Sequence, residues 1–227
     1  QGAHIQDIGA QSTRPGASEV GPEIEIKRLV PLIKELKILH PEIPISVDTF
    51  HHSVAEKVLN IGANLVNDVS GGRHDPEIYN VIADKGSSYV LTHSRGNSKT
   101  MDSLAIYSNV VQDVKNELSN QIDLALSKGI KEEQIIIDPG IGFAKNVDQN
   151  LTLLRNLEEF VSMNYPVLIG ASRKRFIGSV INESDPTKRI FGTAAVAARC
   201  VTAGVDILRV HDIKQISQVV IMTKSIN

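Results

Sequence analysis

The stretch Ile135-Ile-Ile-Asp138-Pro139-Gly-Ile-Gly-Phe143 joins an apolar, β-branched run to a carboxylate and breaks at once into proline and glycine. A strand of a parallel sheet is covered on both faces, so it reads as a continuous apolar run rather than as an alternation. The break puts Asp138 at the carboxyl end of such a strand, where α/β folds keep their ligand sites. The same grammar recurs along the chain and predicts repeated βα units around a parallel sheet.

Seven strands are predicted: Ala3 to Ile8, Ile45 to Val47, Leu65 to Val69, Tyr89 to Thr92, Ile135 to Ile137, Val167 to Ile169 and Ile207 to Val210. Between them, apolar residues at three-to-four spacing mark covering helices, as in Ile26, Leu29, Val30, Ile33 and Leu36. Ser53 and Asp75-Pro76 read as helix starts, and Gly62, Gly86, Gly129 and Gly204 as helix stops just before strands. Arg173 to Phe191 is the longest strand-free connection before a helix, with Asn182 to Pro186 as its loop tip. No composition break divides residues 1–227, so one domain is expected. Seven strands fall one short of a TIM (β/α)8 barrel, and Gly2-Ala3 resembles the tail of a helix feeding a strand. The expected fold is therefore an α/β TIM barrel whose first βα unit is missing from this chain.

Composition narrows the partners. With 227 residues, 41% of them hydrophobic, the chain can bury a large core. A net charge of −2 offers no field for a phosphate backbone, and 4% aromatic content leaves little for stacking bases, so no nucleic acid is expected. Neither a membrane span nor a leader is legible. The single cysteine, Cys200, reads as a buried thiol, and a reducing, cytoplasmic compartment fits.

Strand after strand ends in a polar residue: Asp7, Asp48, Asn67 with Asp68, His93, Asp138, Ser172 to Lys174, and Arg209 with His211. One strand-end acid is most simply a cap or a loop tie; a ring of them converges on one mouth. Asp48, Asn67 and Asp138 offer acceptors and an amide fork, suited to a planar heterocycle bearing ring N–H and amino donors. Arg14, Lys174, Arg209 and His211 are cations suited to a phosphate or carboxylate. The alternative, that these acids and bases pair with one another structurally, stays open. Ser12-Thr-Arg-Pro-Gly-Ala17 reads as an anion-gripping loop, and Gly170-Ala-Ser-Arg-Lys-Arg175 allows a ligand close approach to the backbone. His51-His52 reads as a pair of loop or helix-start residues, because no cysteine or further histidine completes a metal spacing. His4 and His40 read as surface residues.

Taken in order, Asp7-Ile-Gly-Ala-Gln-Ser-Thr-Arg-Pro-Gly-Ala17, Ile45-Ser-Val-Asp-Thr49, Val66-Asn-Asp-Val-Ser-Gly71, His93-Ser-Arg-Gly96, Asp138 to Phe143, Ser172-Arg-Lys174 and Arg209-Val-His-Asp212 resemble dihydropteroate synthase over essentially the whole chain. The resemblance implies an eight-stranded (β/α) barrel joining 6-hydroxymethyl-7,8-dihydropterin diphosphate to 4-aminobenzoate, with sulfonamides competing for the second site. It implies a pterin site of Asp48, Asn67, Asp138, Phe143, Gly170 and Lys174. Thr13, Arg14, Pro15, Phe143 and Ser172 would meet the aminobenzoate, and Thr13, Arg209 and His211 the diphosphate. Lys174, Arg209, His211 and Asp138 would carry the catalysis, with Mg²⁺ assisting and no side-chain nucleophile. A homodimer is implied, and the apolar run Ala194 to Val205 is the expected interface.

The chain departs from the family pattern in three places. The first strand and its loop, which carries a metal-contacting Asn, are absent, so no metal ligand is expected within this chain. Gln11 stands where many members have Glu and suits fungal-type members fused to other folate enzymes, which would allow a mitochondrial location. Thr92 and Ser94 replace apolar pterin-packing residues. Two other readings remain: a pterin-binding corrinoid methyltransferase, against which the diphosphate-gripping motifs argue, and a non-catalytic barrel fragment.

Overall fold

A computed structural model describes residues 2–12 and 16–227. The expectations for Thr13, Arg14 and Pro15 lie outside the described residues. All seven predicted strands form: β1 (Gln6–Gly9), β2 (Ile45–Asp48), β3 (Leu65–Asp68), β4 (Ser88–Thr92), β5 (Ile135–Asp138), β6 (Leu168–Ile169) and β7 (Ile207–Leu208). β1 to β5 make one parallel sheet in sequence order, and β6 pairs with β7. A parallel bridge from Ile137 to Val167 joins the two. This is a partial barrel in architecture. β1 starts at Gln6 rather than Ala3 because its register opens on Gln6 opposite Ile45, and Ile45 is where β2 begins.

The covering helices are α1 (Pro22–Leu39), α2 (His52–Leu59), α3 (Ile78–Lys85), α4 (Val110–Ser127), α5 (Val147–Arg155), α6 (Glu158–Val161), α7 (Arg175–Ile181), α8 (Ile190–Thr202) and α9 (Ile213–Ile226). The connection from Arg173 to Phe191 is strand-free as expected, but it holds α7, which buries Phe176 and Ile177. Ser53 is not the cap of α2; that position is His51, and Ser53 lies inside the helix. Gly86 ends α3 with φ +63°, the left-handed conformation that a side chain would oppose.

β2, β3 and β5 are buried at every position, as continuous apolar runs require. Their two faces serve different ends. Tyr89, Leu91, Ile135 and Ile137 pack outward into the main core under the helices. The residues of opposite parity, Leu65, Val90, Ile136 and Leu168, form a separate cluster with Ile207 inside the curve of the strands. Each fully buried aliphatic side chain in these layers contributes about 1.5–3 kcal/mol. The inner cluster is the floor on which the site stands.

Candidate functional site

Because side chains alternate with period two, the residue two positions beyond each inner-layer residue shares its face. Leu65 is followed by Asn67, Val90 by Thr92, Ile136 by Asp138, Leu168 by Gly170 and Ile207 by Arg209; on β2, Ser46 is followed by Asp48. Strand register confirms the ring, with Asp48 opposite Asn67 and Thr92 opposite Asp138. Asp68, of the other parity, ties its own loop instead, accepting from Ser70 N, Gly72 N and the Tyr89 hydroxyl at 2.7, 2.7 and 2.6 Å. It does not join the mouth.

Three of these mouth groups keep buried polar atoms with no protein partner: Asp48 Oδ1, Asn67 Oδ1 and Thr92 Oγ1. An unmet buried polar atom costs about 1–3 kcal/mol, so three on adjacent strands are a set of bonds reserved for something that enters. Asp138 is buried beside them and accepts from Gly140 N at 2.7 Å. Burial raises the Asp138 carboxyl, against the pull of Lys174. Lys174 precedes α7, sets Nζ 4.2 Å above the Phe143 ring and donates to the Ile141 carbonyl. Burial brings this ammonium down to about 8, with Asp138 opposing.

Arg209 crosses the front of the ring, donating from Nε to Asp7 Oδ2 at 2.5 Å and from Nη2 to Asp48 Oδ2 at 2.9 Å. Asp7 also accepts from Ser46 Oγ at 2.6 Å. The structural-pairing alternative therefore holds for Arg209, whose fork is taken by two carboxylates. Burial pushes Asp48 up to about 7 even so, with Arg209 pulling down and Asp7 pushing up. His211 Nδ1 lies 2.9 Å from Ser172 Oγ. Arg173 pairs with Asp212, and Gly170 leaves 3.8 Å between a hypothetical Cβ and the Arg209 side chain.

Sequence reasoning missed Lys145. Its buried Nζ sits 3.0 Å from Gly140 O, 2.9 Å from Phe143 O and 2.9 Å from His93 Nδ1, so it nails the loop after β5 to the end of β4. No local sequence pattern signals this role. Gly140 completes the lock: at φ +70° a Cβ there would lie 1.8 Å from His93 O. Also missed was a cavity of about 330 Å³ beside the mouth, lined in part by Arg73, Ser94, Arg95, Gly96 and Phe143. Arg95 is anchored to Glu117 and stacked 3.9 Å from the Tyr107 ring centre, while Arg73 donates to Ser94 Oγ at 2.9 Å.

The histidine expectations divide. His4 and His40 are exposed as expected, and Cys200 is buried. His52 opens α2 and lies 2.7 Å from Asp75. For His51 the expectation that no further histidine joins it is overturned, because the loop after β3 brings His74 to it. Sequence spacing could not show a partner that tertiary folding supplies.

The chain matches the pterin binding enzyme family over residues 1–211. It is 46% identical over 218 residues to a dihydropteroate synthase of Synechocystis, covering 96% of this chain and 75% of that one. A folic acid synthesis protein of Pneumocystis carinii is 42% identical over 99% of this chain, which spans 31% of that longer protein. Among solved structures, a dihydropteroate synthase of Clostridium difficile in the presence of pteroic acid superimposes with a TM-score of 0.93 at 39% identity, covering 99% of this chain and 82% of that one. Among the described residues, no helix is long and apolar enough to cross a membrane.

Proposed function

The chain belongs to the pterin binding enzyme family, among its dihydropteroate synthases, and from that membership we propose how its barrel mouth divides the work. The reaction is a transfer that joins 6-hydroxymethyl-7,8-dihydropterin diphosphate to 4-aminobenzoate. Asp48 Oδ1, Asn67 Oδ1 and Asp138 accept from the amino and ring N–H groups of the pterin, and Lys174 donates to its carbonyl. The supporting observation is the row of unpartnered buried atoms on β2, β3 and β4. Gly170 admits the ring edge, and Phe143, under the Lys174 ammonium, borders both substrates.

Breaking the C–O bond to diphosphate builds positive charge on the pterin methylene, which the buried carboxylates favour, while cations set in advance stabilise the departing anion. Arg209 and His211 face that anion, and Ser172, bonded to His211, lies toward the aminobenzoate. The aniline nitrogen then captures the methylene carbon and loses a proton. Thr13, Arg14 and Pro15 are assigned to the aminobenzoate and diphosphate from their motif alone. Magnesium takes six oxygen ligands. The carboxylates near Arg209 and His211 are Asp7, Asp48 and Asp212, all engaged by arginines, with the open Asp48 oxygen assigned to the pterin, so the described residues there do not fit a magnesium site. Mg²⁺ is assigned to the incoming diphosphate instead.

Two further assignments complete the reading. The run Ala194 to Val205 turns Ala197, Cys200 and Ala203 inward, so a homodimer would use the outer side of α8 and α9, which leaves Phe191, Ile221 and Met222 exposed. A cytoplasmic location rests on the lone buried thiol. Calorimetric titration with the pterin diphosphate tests the central reading. Binding should weaken on Asn67→Ala with the fold intact, and equal affinity in both proteins would overturn the site.

A further inference from the structure

Beside the cavity, three side chains from three connections turn toward one point. Glu19 comes from the segment before α1, His51 from the start of α2 and His74 from the loop after β3. Their ligand atoms all lie within 4.8 Å of one another. His74 Nε2 is 3.4 Å from Glu19 Oε1, His51 Nε2 is 3.5 Å from Glu25 Oε1 and 3.9 Å from Glu19 Oε1. These separations are long for hydrogen bonds. The Glu19–His74 separation matches the edge of a tetrahedron around an ion with bonds of about 2.0–2.1 Å, which is about 3.4 Å, and small side-chain rotations would bring His51 to the same distance.

A second observation points the same way. Glu25 lies on α1 at 1% exposure, burial raises its carboxyl to about 7 with only the Thr49 hydroxyl acting against that as a donor, and neither carboxylate oxygen nor His51 Nε2 makes a hydrogen bond of normal geometry. A buried carboxyl held up in this way and facing an unbonded imidazole nitrogen is a group that a cation placed between them would satisfy. Ring packing presets the imidazoles, since Phe50 lies 4.7 Å from His51 and 4.3 Å from His74 between centroids.

We propose that Glu19, His51 and His74 bind a divalent transition-metal ion of the zinc class, with buried Glu25 balancing its charge. Two imidazole ligands favour zinc or cobalt over magnesium or calcium, which take oxygen. The ion would tie the segment before α1 to the starts of α2 and α3 along the wall of the cavity, fixing the root of the connection that carries Ser12 to Ala17. This is separate from any magnesium brought by diphosphate.

The test is calorimetric titration of the full protein, stripped by chelator, with Zn²⁺ alone, and visible absorption with Co²⁺ alone. One ion per chain and the strong bands of tetrahedral Co²⁺ are expected. His74→Ala, at an exposed position, should weaken binding at least roughly tenfold with the fold intact by circular dichroism. His52→Ala, whose ring faces Asp75, should leave it unchanged. No binding, binding indifferent to His74→Ala, or equal loss in His52→Ala would each overturn the site.

Discussion

Lys145 Nζ lies 2.9 Å from His93 Nδ1, both side chains are buried, and Glu117 on the other ring nitrogen fixes the histidine tautomer. Burial holds the Lys145 amine well below its ordinary value, whereas Glu117, held down to about 2 by its bonds to His93 and Arg95, is a carboxylate that can only accept. Nδ1 therefore accepts, and the proton on Nε2 is donated to Glu117 Oε2 at 3.0 Å. Burial first, and Lys145 second, hold His93 down at about 4.

Stability should carry the mark of this relay. The folded pKa of His93 is depressed, so below about 6.5 the unfolded chain takes up a proton that the folded one refuses. Stability is lost as pH falls from about 6.5 to about 4, by up to about 3 kcal/mol. Asp48, raised to about 7, works in the opposite sense, so the readout is a difference. Urea unfolding of parent and His93→Gln across this window should converge as the pH falls. Parallel curves would remove His93 from the account.

Asp138 is buried at the end of β5, with Oδ1 occupied by Gly140 N. Asp138→Asn keeps the shape but replaces a charged acceptor with an amide that also donates. Pterin diphosphate affinity should fall by about 1.5–3 kcal/mol, the range for a bond to a charged group. Calorimetry decides this, and unchanged affinity would withdraw Asp138 from the pterin.

The strand-end ring was legible because period-two alternation and the apolar run before each acid are local signals. Asp48, Asn67 and Asp138 could be placed on one mouth without coordinates. Lys145 could not, since its three partners come from turns whose geometry the chain pattern does not reveal. His74 reached His51 across a fold contact, and α7 went unread because its seven residues carry too short an apolar pattern. Asp68 was grouped with Asn67 by adjacency, whereas adjacent strand residues face opposite sides. Arg209 met carboxylates because a cation and two acids brought to one rim pair when nothing else is bound.

Lys174 gives the site an alkaline limit. Burial lowers its ammonium to about 8, so above that pH the free protein loses the proposed donor to the pterin carbonyl. The profile of kcat/KM, which reports the free enzyme, should fall through about pH 8. Lys174→Met should lower kcat/KM and abolish that limb. A limb that persists in the variant belongs to another group.

Arg209 makes the sharpest division between the two halves of the first substrate. Its fork is held by Asp7 and Asp48, so an arriving diphosphate must compete with two carboxylates for it. Arg209→Ala should therefore weaken binding of the pterin diphosphate by about 1.5–3 kcal/mol, the range for hydrogen bonds to charged groups, and leave the corresponding hydroxymethyl pterin nearly unaffected. Lysine keeps the charge but loses the fork, so Arg209→Lys should recover part of the affinity. Asp7→Asn removes one competitor and should raise diphosphate affinity severalfold. Calorimetry with the two pterins on all three variants separates the cases. Equal loss for both ligands in Arg209→Ala would mean that Arg209 serves to hold Asp48 in place for the ring, and that the anion is gripped elsewhere.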